Sequence, residues 1–469
     1  MSKGHSAHVH TRHRHEHEHS ESAPHETEEL MLLARDLGVC AEQIATTAGR
    51  LTALLSDPAL LRSLAASPRT GARVTAQLTR IIAGAEGLGC GTETTKLGKV
   101  VAMLTGAGGR ESLPALVAAT ALKARIRGLA LMHPELFEDP DMAGLIDAVE
   151  GDRQLEAVRR FRRLLAERGT GETLGAIAPV FIELSGLIAL LDENPFNDAV
   201  GWNFATGKPV TCEPILGVSM TWVSAFEKGE GSAEPVELTP AVASLLEDEG
   251  TIVAHMRNIR LMRPFGYALL HRVRGRDGVE RFVLALPGMT ADTVHSDSAQ
   301  DLIGAIRNTQ LTESTYTRAL RSLFEQAGVP AGAEIALIGH SQGGVVAMNL
   351  VSDPDLVERY QFTHLVAVGA PVDYKVPLDE ALWVASVTNQ HDIVPALDGR
   401  GFGSVYDPHP HWYEVDYADG RHGFPSCHGA GRYAENLAKD IPEAAAHIDR
   451  QLARYRGEVV ETRAFRLSD

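Results

Sequence analysis

The chain has 469 residues, 44% of them hydrophobic and 22% charged, and carries a formal net charge of −17. That length suits two or three globular domains. The acidic balance, with no basic stripe, argues against a nucleic-acid partner. Cys40, Cys90, Cys212 and Cys427 are far apart and form no Cys-x-x-Cys pair, so reduced, mostly buried thiols are expected rather than a disulfide framework.

Residues 1–27 carry His5, His8, His10, His13, His15, His17, His19 and His25 with almost no apolar residue between them. Such a segment has nothing to bury, and a disordered, solvated tail is expected. Imidazoles at this density bind zinc, nickel or copper loosely, but no fixed ligand spacing preorganises a site. An apolar signal-peptide core is missing, which favours the cytoplasm and leaves non-classical export open.

Residues 28–195 read as an all-helical region. Leu30, Leu33, Leu37, Cys40, Ile44, Ala48, Leu51 and Leu55 advance in steps of three and four and share one helix face. Ser56-Asp57-Pro58 stops that helix and starts the next. Further helices are expected near Ala72 to Ala83, Leu113 to Leu131, Met142 to Glu167 and Leu174 to Leu191. The last window is about the minimum length for a bilayer span, but Pro179 and Glu183 interrupt it, so a core helix is expected. Membrane contact is not indicated. The region serves equally as a scaffold, a protein-partner module or a cap.

The pattern changes in residues 196–469. Phe265 to Val273 and Val279 to Leu286 read as strands joined by the hairpin Arg274-Gly275-Arg276-Asp277-Gly278. Helices are expected at Ala299 to Ile306 and Leu311 to Ala327. Ile335 to Ile338 forms a strand and Val345 to Leu350 a helix. Strands follow at Thr363 to Val368, Leu382 to Val387 and His411 to Tyr417, and a closing helix at Gly431 to Tyr455. Strands alternating with helices imply an α/β fold with a mostly parallel sheet covered on both faces.

Between strand and helix lies Gly339-His340-Ser341-Gln342-Gly343, a sharp turn with serine at its apex. Glycines on both sides let strand and helix pass closely. A serine hydroxyl needs a histidine to take its proton and an acid to orient that histidine. On such a sheet the partners follow in the order Ser, Asp, His at later strand ends. Asp392, in the loop after Leu382 to Val387, is the preferred acid, with Asp373 as rival. His428, just before the closing helix, is the preferred base over His422; His391, His409 and His411 are less suitably placed. The backbone N–H of Gln342 and that of Met289, in the turn Pro287-Gly288-Met289-Thr290, are the nominated oxyanion donors, with Gly288 and the Thr290 hydroxyl as alternatives. A glycine-rich stretch, Asp398 to Tyr406, suits a mobile flap.

Taken together, LPG at 286–288, GHSQGG at 339–344, VGAPV at 368–372, NQHDIVP at 389–395 and HGAGRY at 428–433 resemble an α/β-hydrolase of the lipase/esterase kind. The Asn-x-x-Asp-x-Val-Pro stretch and the late histidine with a tyrosine five residues on are similar to class 3 lipases and related actinobacterial hydrolases. The resemblance spans residues 265–455, although Pro-Gly-Met-Thr departs from the HGGG oxyanion loop of many esterases. It implies an α/β-hydrolase fold with Ser341 as nucleophile, Asp392 as acid and His428 as base, a small-molecule or lipid ester as substrate, and no metal or organic cofactor. By composition, the helical region resembles helical partner domains of bacterial secretion-associated proteins. The competing readings are a hydrolase-like scaffold without activity, and a thioesterase or peptidase using the same three residues.

Overall fold

The computed structural model describes residues 23–55, 57–83, 88, 113–151, 153–191, 198–207, 229–290, 298–300, 305, 307–309, 313–399, 409–419 and 421–469. The His-rich residues 1–22, Cys90, Cys212 and most of the glycine-rich stretch (400–406) lie outside them, and so do the expectations placed on these segments.

Eight strands form one mixed sheet: β1 (Ser232–Val236), β2 (Tyr267–Gly275), β3 (Glu280–Leu286), β4 (Glu334–His340), β5 (Gln361–Val368), β6 (Trp383–Asn389), β7 (Trp412–Tyr417) and β8 (Gly457–Ser468). Their order is β1-β8-β2-β3-β4-β5-β6-β7. From β3 to β7 every neighbour is parallel; β8 pairs antiparallel with both β1 and β2, and β2 with β3. With helices on both faces, this is an α/β protein with a mostly parallel sheet.

The near-continuous apolar runs of the parallel strands follow from burial on both faces. Side chains alternate along a strand, so β4 sends Ile335 and Leu337 into one core and Ala336 and Ile338 into the other. The first core is closed by helices Thr315–Gln326 and Gln342–Val351, and the second by Ile252–Met262, Ala430–Lys439 and Pro442–Gln451. Truncating a fully buried leucine here, such as Leu337→Ala, costs about 2–5 kcal/mol.

Ahead of the sheet the described residues form helices around a third core. The first runs Ala23–Leu55, so it begins before residue 28, and Glu26 in its first turn suits the helix dipole. Asp57 caps Pro58–Ala66 through the Ala59 and Leu60 N–H groups. Met142 to Glu167 is not one helix. Pro140–Glu150 ends at Gly151, and Gln154–Ile177 follows. Leu174 to Leu191 is broken by a 3-10 turn at Ala178–Val180, because Pro179 supplies no N–H, and resumes as Phe181–Leu191. Helix continues beyond residue 195 as Asp198–Thr206.

Residues Glu172–Leu190 are long and apolar enough to cross a membrane, and 72% of that window is buried within the fold. Its carboxylate, Glu183, is paired at 2.6 Å with Arg125, both almost fully buried. Arg125 also donates to the Phe204 carbonyl at 2.6 Å.

The sheet half departs from expectation at both ends of the chain. The closing helix is two helices, since Pro442 ends the hydrogen-bond ladder begun at Ala430. The chain then returns as β8. Strand β1, with Pro235 in it, sits on the sheet edge, where a missing N–H is tolerated. Strand β2 starts at Tyr267, after a 3-10 turn at Arg263–Phe265 that Gly266 ends in a left-handed conformation.

Candidate active site

Strand β4 delivers Ser341 into a turn that only glycine neighbours permit. A Cβ on Gly339 would stand 2.4 Å from the Gly343 carbonyl, and one on Gly343 would stand 2.3 Å from the Leu286 oxygen. Ser341 has φ 55° and ψ −127°; it is the one non-glycine residue with positive φ among the described residues. Such backbone costs roughly 1–3 kcal/mol, and the packed strand and helix hold it in place. Ser341 is also the N-cap of Gln342–Val351, so the positive end of that helix dipole lies beneath its hydroxyl.

Loops leaving β6 and β7 bring the partners. His428 Nδ1 lies 2.7 Å from Asp392 Oδ2, and His428 Nε2 lies 2.9 Å from Ser341 Oγ. A carboxylate only accepts, so Nδ1 carries the hydrogen. The lone pair on Nε2 is then left to accept from the serine hydroxyl. Asp392 is buried and accepts two further hydrogen bonds that fix it: Tyr433 Oη donates to Oδ2, the oxygen that also holds His428, at 2.8 Å, and Val394 N–H donates to Oδ1 at 3.0 Å. Tyr433 in turn accepts from the Asn389 N–H at 3.2 Å. Burial, then the Asp392 charge, pushes the Tyr433 phenol well above its ordinary value, so it stays a donor.

Beneath the histidine lies His340. Its Nε2–H donates to the His428 carbonyl at 2.7 Å, and the two rings stand 4.9 Å apart. Burial, with the nearby His428, pushes His340 well below its ordinary value, so it is a neutral prop rather than a second base. Cys427 is pushed up to about 12 by burial and the Asp392 charge, and its thiol donates to the His391 carbonyl at 3.2 Å. Cys40 and Cys427 are both free thiols.

The turn after β3 lies against the serine. A Cβ on Gly288 would come within 2.7 Å of Ser341 Cβ and 3.2 Å of its Oγ. Tyr316 Oη donates to the Pro287 carbonyl at 3.1 Å and Arg263 Nε to the Met289 carbonyl at 3.0 Å, which fixes the turn. The Thr290 N–H is engaged by the Gln300 carbonyl at 3.2 Å, and the Thr290 hydroxyl meets Ser298 Oγ at 3.5 Å. Gln342, first in its helix, has no intrahelical acceptor for its N–H. Among the described residues neither the Met289 nor the Gln342 N–H bonds another backbone group, while Thr290 is committed elsewhere.

The rivals are placed apart from this chain of bonds. His422 Nδ1 donates to Asp419 Oδ2 at 2.8 Å, forming a separate pair. Asp373 uses its N–H on Asp398 Oδ2 at 3.0 Å. His409 Nε2 meets the Asp379 carbonyl at 3.3 Å, and the His411 N–H bonds to His409. His391 faces the helical region. Sequence reasoning missed His340 and Tyr433, although both lie inside the motifs it singled out.

Between the helical region and the acid loop lies a cleft of about 80 Å³, lined by Pro179, Ile182, Glu183, Asn389 and Asp392 among others. A larger groove, about 410 Å³, lies at the opposite end of the strands. Three of its charged side chains are paired, Arg272 with Glu280 and Glu461, Arg463 lies over the Phe465 ring, and its lining includes no serine, histidine or cysteine.

No family model, curated protein or solved structure matches this chain.

Proposed function

We propose that this chain is a serine hydrolase with an α/β-hydrolase fold that cleaves a carboxylic ester. The observation that carries the reading is the unbroken path from Ser341 Oγ through His428 to buried Asp392, at 2.9 and 2.7 Å. Ser341 attacks the acyl carbonyl while His428 Nε2 takes its proton. The Met289 and Gln342 N–H groups receive the oxyanion, a contribution of about 3–4 kcal/mol per donor in comparable sites. His428 returns the proton to the departing alcohol. Water, activated by the same histidine, then attacks the acyl-enzyme, and the carboxylic acid and Ser341 hydroxyl are regenerated.

Asp392 holds the histidine in the required tautomer, and Tyr433 and Val394 hold Asp392. The substrate is a small-molecule or lipid ester, and the helical region, docked on the acid loop, acts as a cap. A thioester or peptide would use the same residues, so substrate class is a question for assay.

The test is labelling by a fluorophosphonate probe, wild type against Ser341→Ala, with p-nitrophenyl esters of graded chain length assayed alongside. Labelling that disappears in the variant, together with ester turnover, is the expected result. Folded wild type that neither labels nor turns over any ester would defeat the enzyme reading in favour of a hydrolase-like scaffold.

A further inference from the structure

The helical region and the acid loop meet at three side chains that the ester chemistry does not use. His133 and Glu135 follow the helix Leu113–Met132, and His391 precedes Asp392. Glu135 Oε1 lies 2.8 Å from His133 Nδ1 and 3.0 Å from His391 Nε2. The three atoms all lie within 4.8 Å of one another. Both histidines are buried, whereas the Glu135 side chain is 43% exposed.

The remaining nitrogen of His133 adds an independent observation. Its Nε2 lies 2.9 Å from Gln390 Oε1, an acceptor, so Nε2 carries the hydrogen. With Nε2 as the donor, Nδ1 turns toward a carboxylate oxygen at 2.8 Å, a gap that either a second ring proton or a metal ion bridges. A ligating imidazole whose other N–H is held by a carbonyl is the usual arrangement around a bound transition metal. His391 Nδ1, by contrast, is buried without a partner.

We propose that His133, Glu135 and His391 bind one divalent transition cation of the zinc class, forming a clasp between the helical region and the loop that carries Asp392. Two imidazoles and one carboxylate select zinc, cobalt or nickel over calcium or magnesium. Zinc ligands stand roughly 3.3 Å apart in a tetrahedron, so ring and carboxylate rotations of about 1 Å close the site. The exposed side of Glu135 gives the ion its entry and water the fourth position. The clasp is structural and stands whether or not Ser341 is a nucleophile.

The test uses the full chain, stripped by chelator, with every histidine in residues 1–27 changed to serine so that the tail contributes no imidazole ligands. Zn²⁺ is titrated by calorimetry, Co²⁺ is followed by visible absorption, and melting is recorded with and without metal. One ion per chain is expected, with a rise in melting temperature of about 5 °C at a hundredfold excess over Kd. His391→Gln should bind none and gain nothing. Gln390→Ala keeps all three ligands and should bind 10- to 100-fold more weakly, which separates a lost site from a misfolded variant. No ion bound by the tail-substituted chain, or unchanged binding in His391→Gln, would overturn the proposal and leave a proton as the bridge.

Discussion

Tyr433→Phe removes one oxygen and keeps a ring that packs between His340 and Tyr417. The hydroxyl donates to Asp392 Oδ2 at 2.8 Å and accepts from the Asn389 N–H at 3.2 Å, so the change strips a carboxylate of a donor and orphans a buried amide. A hydrogen bond to a charged group contributes about 1.5–3 kcal/mol, and an unsatisfied buried donor costs about 1–3 kcal/mol. Because Asp392 keeps His428 and Val394, the lower half of that sum is expected, about 3 kcal/mol of stability. Catalysis should suffer less. The carboxylate still holds His428, and a loosened acid costs about 1.4 kcal/mol, a tenfold fall in kcat. KM should be unchanged, because the hydroxyl lies fully buried behind the acid. Urea unfolding and p-nitrophenyl ester kinetics measure both quantities on one preparation. A kcat within twofold of wild type alongside the stability loss would refute the view that Tyr433 positions Asp392. A raised KM with unchanged kcat would put Tyr433 on the substrate instead.

Gly288→Ala places a methyl 2.7 Å from Ser341 Cβ, and fluorophosphonate labelling is expected to fall at least a hundredfold while circular dichroism keeps the fold; normal labelling would remove this turn from the oxyanion site. Arg125→Met leaves Glu183 charged and buried, a loss of about 3–5 kcal/mol, and Arg125→Met with Glu183→Leu should recover most of it; a double variant no better than the single would show that the pair is not the cause. Burial pushes His271 down to about 4 and His255 to about 3, so below pH 6.5 the unfolded chain binds protons that the folded one refuses. Stability is therefore complete near pH 7 and is lost as pH falls toward 4. His271→Gln should reduce the slope of unfolding free energy between pH 4.5 and 6 by about 1.4 kcal/mol per pH unit, and an unaltered slope would contradict the assigned burial effect.

In the parallel half of the sheet β3 to β6 were legible because each carries an apolar run, buried on both faces, followed by turn residues, and β7 because Trp412 to Tyr417 alternates buried and half-buried positions. Ser341, Asp392 and His428 were readable from their order at successive strand ends, and the structure brings these three together rather than Asp373 or His422. Strand β8 was not readable. Its exposed positions carry Glu458, Glu461 and Arg466, which pair across to β2 or face solvent, and only Ala464, Phe465 and Leu467 are buried. Strand β1 is five residues long and contains proline. Neither has a local pattern; each is a strand because its neighbour is. The same holds for His133, Glu135 and Gln390, whose meeting with the acid loop depends on how the helical region docks.

The placement of β8 has a kinetic consequence. Ser232 faces Ser468, so the outer sheet closes only after nearly the whole second half of the chain has been searched. The parallel strands β3 to β7 make shorter connections and are expected to assemble first, leaving β2 as an open edge and β1 without any partner. Arg272 and Arg274 on β2 blunt that edge against other chains while it waits. A chain cut before Gly457 should therefore collapse with its central strands protected from hydrogen exchange, keep the β2 amides that face β8 unprotected, and associate more readily at low net charge. Full protection of those amides in the cut chain would mean that another segment takes the place of β8.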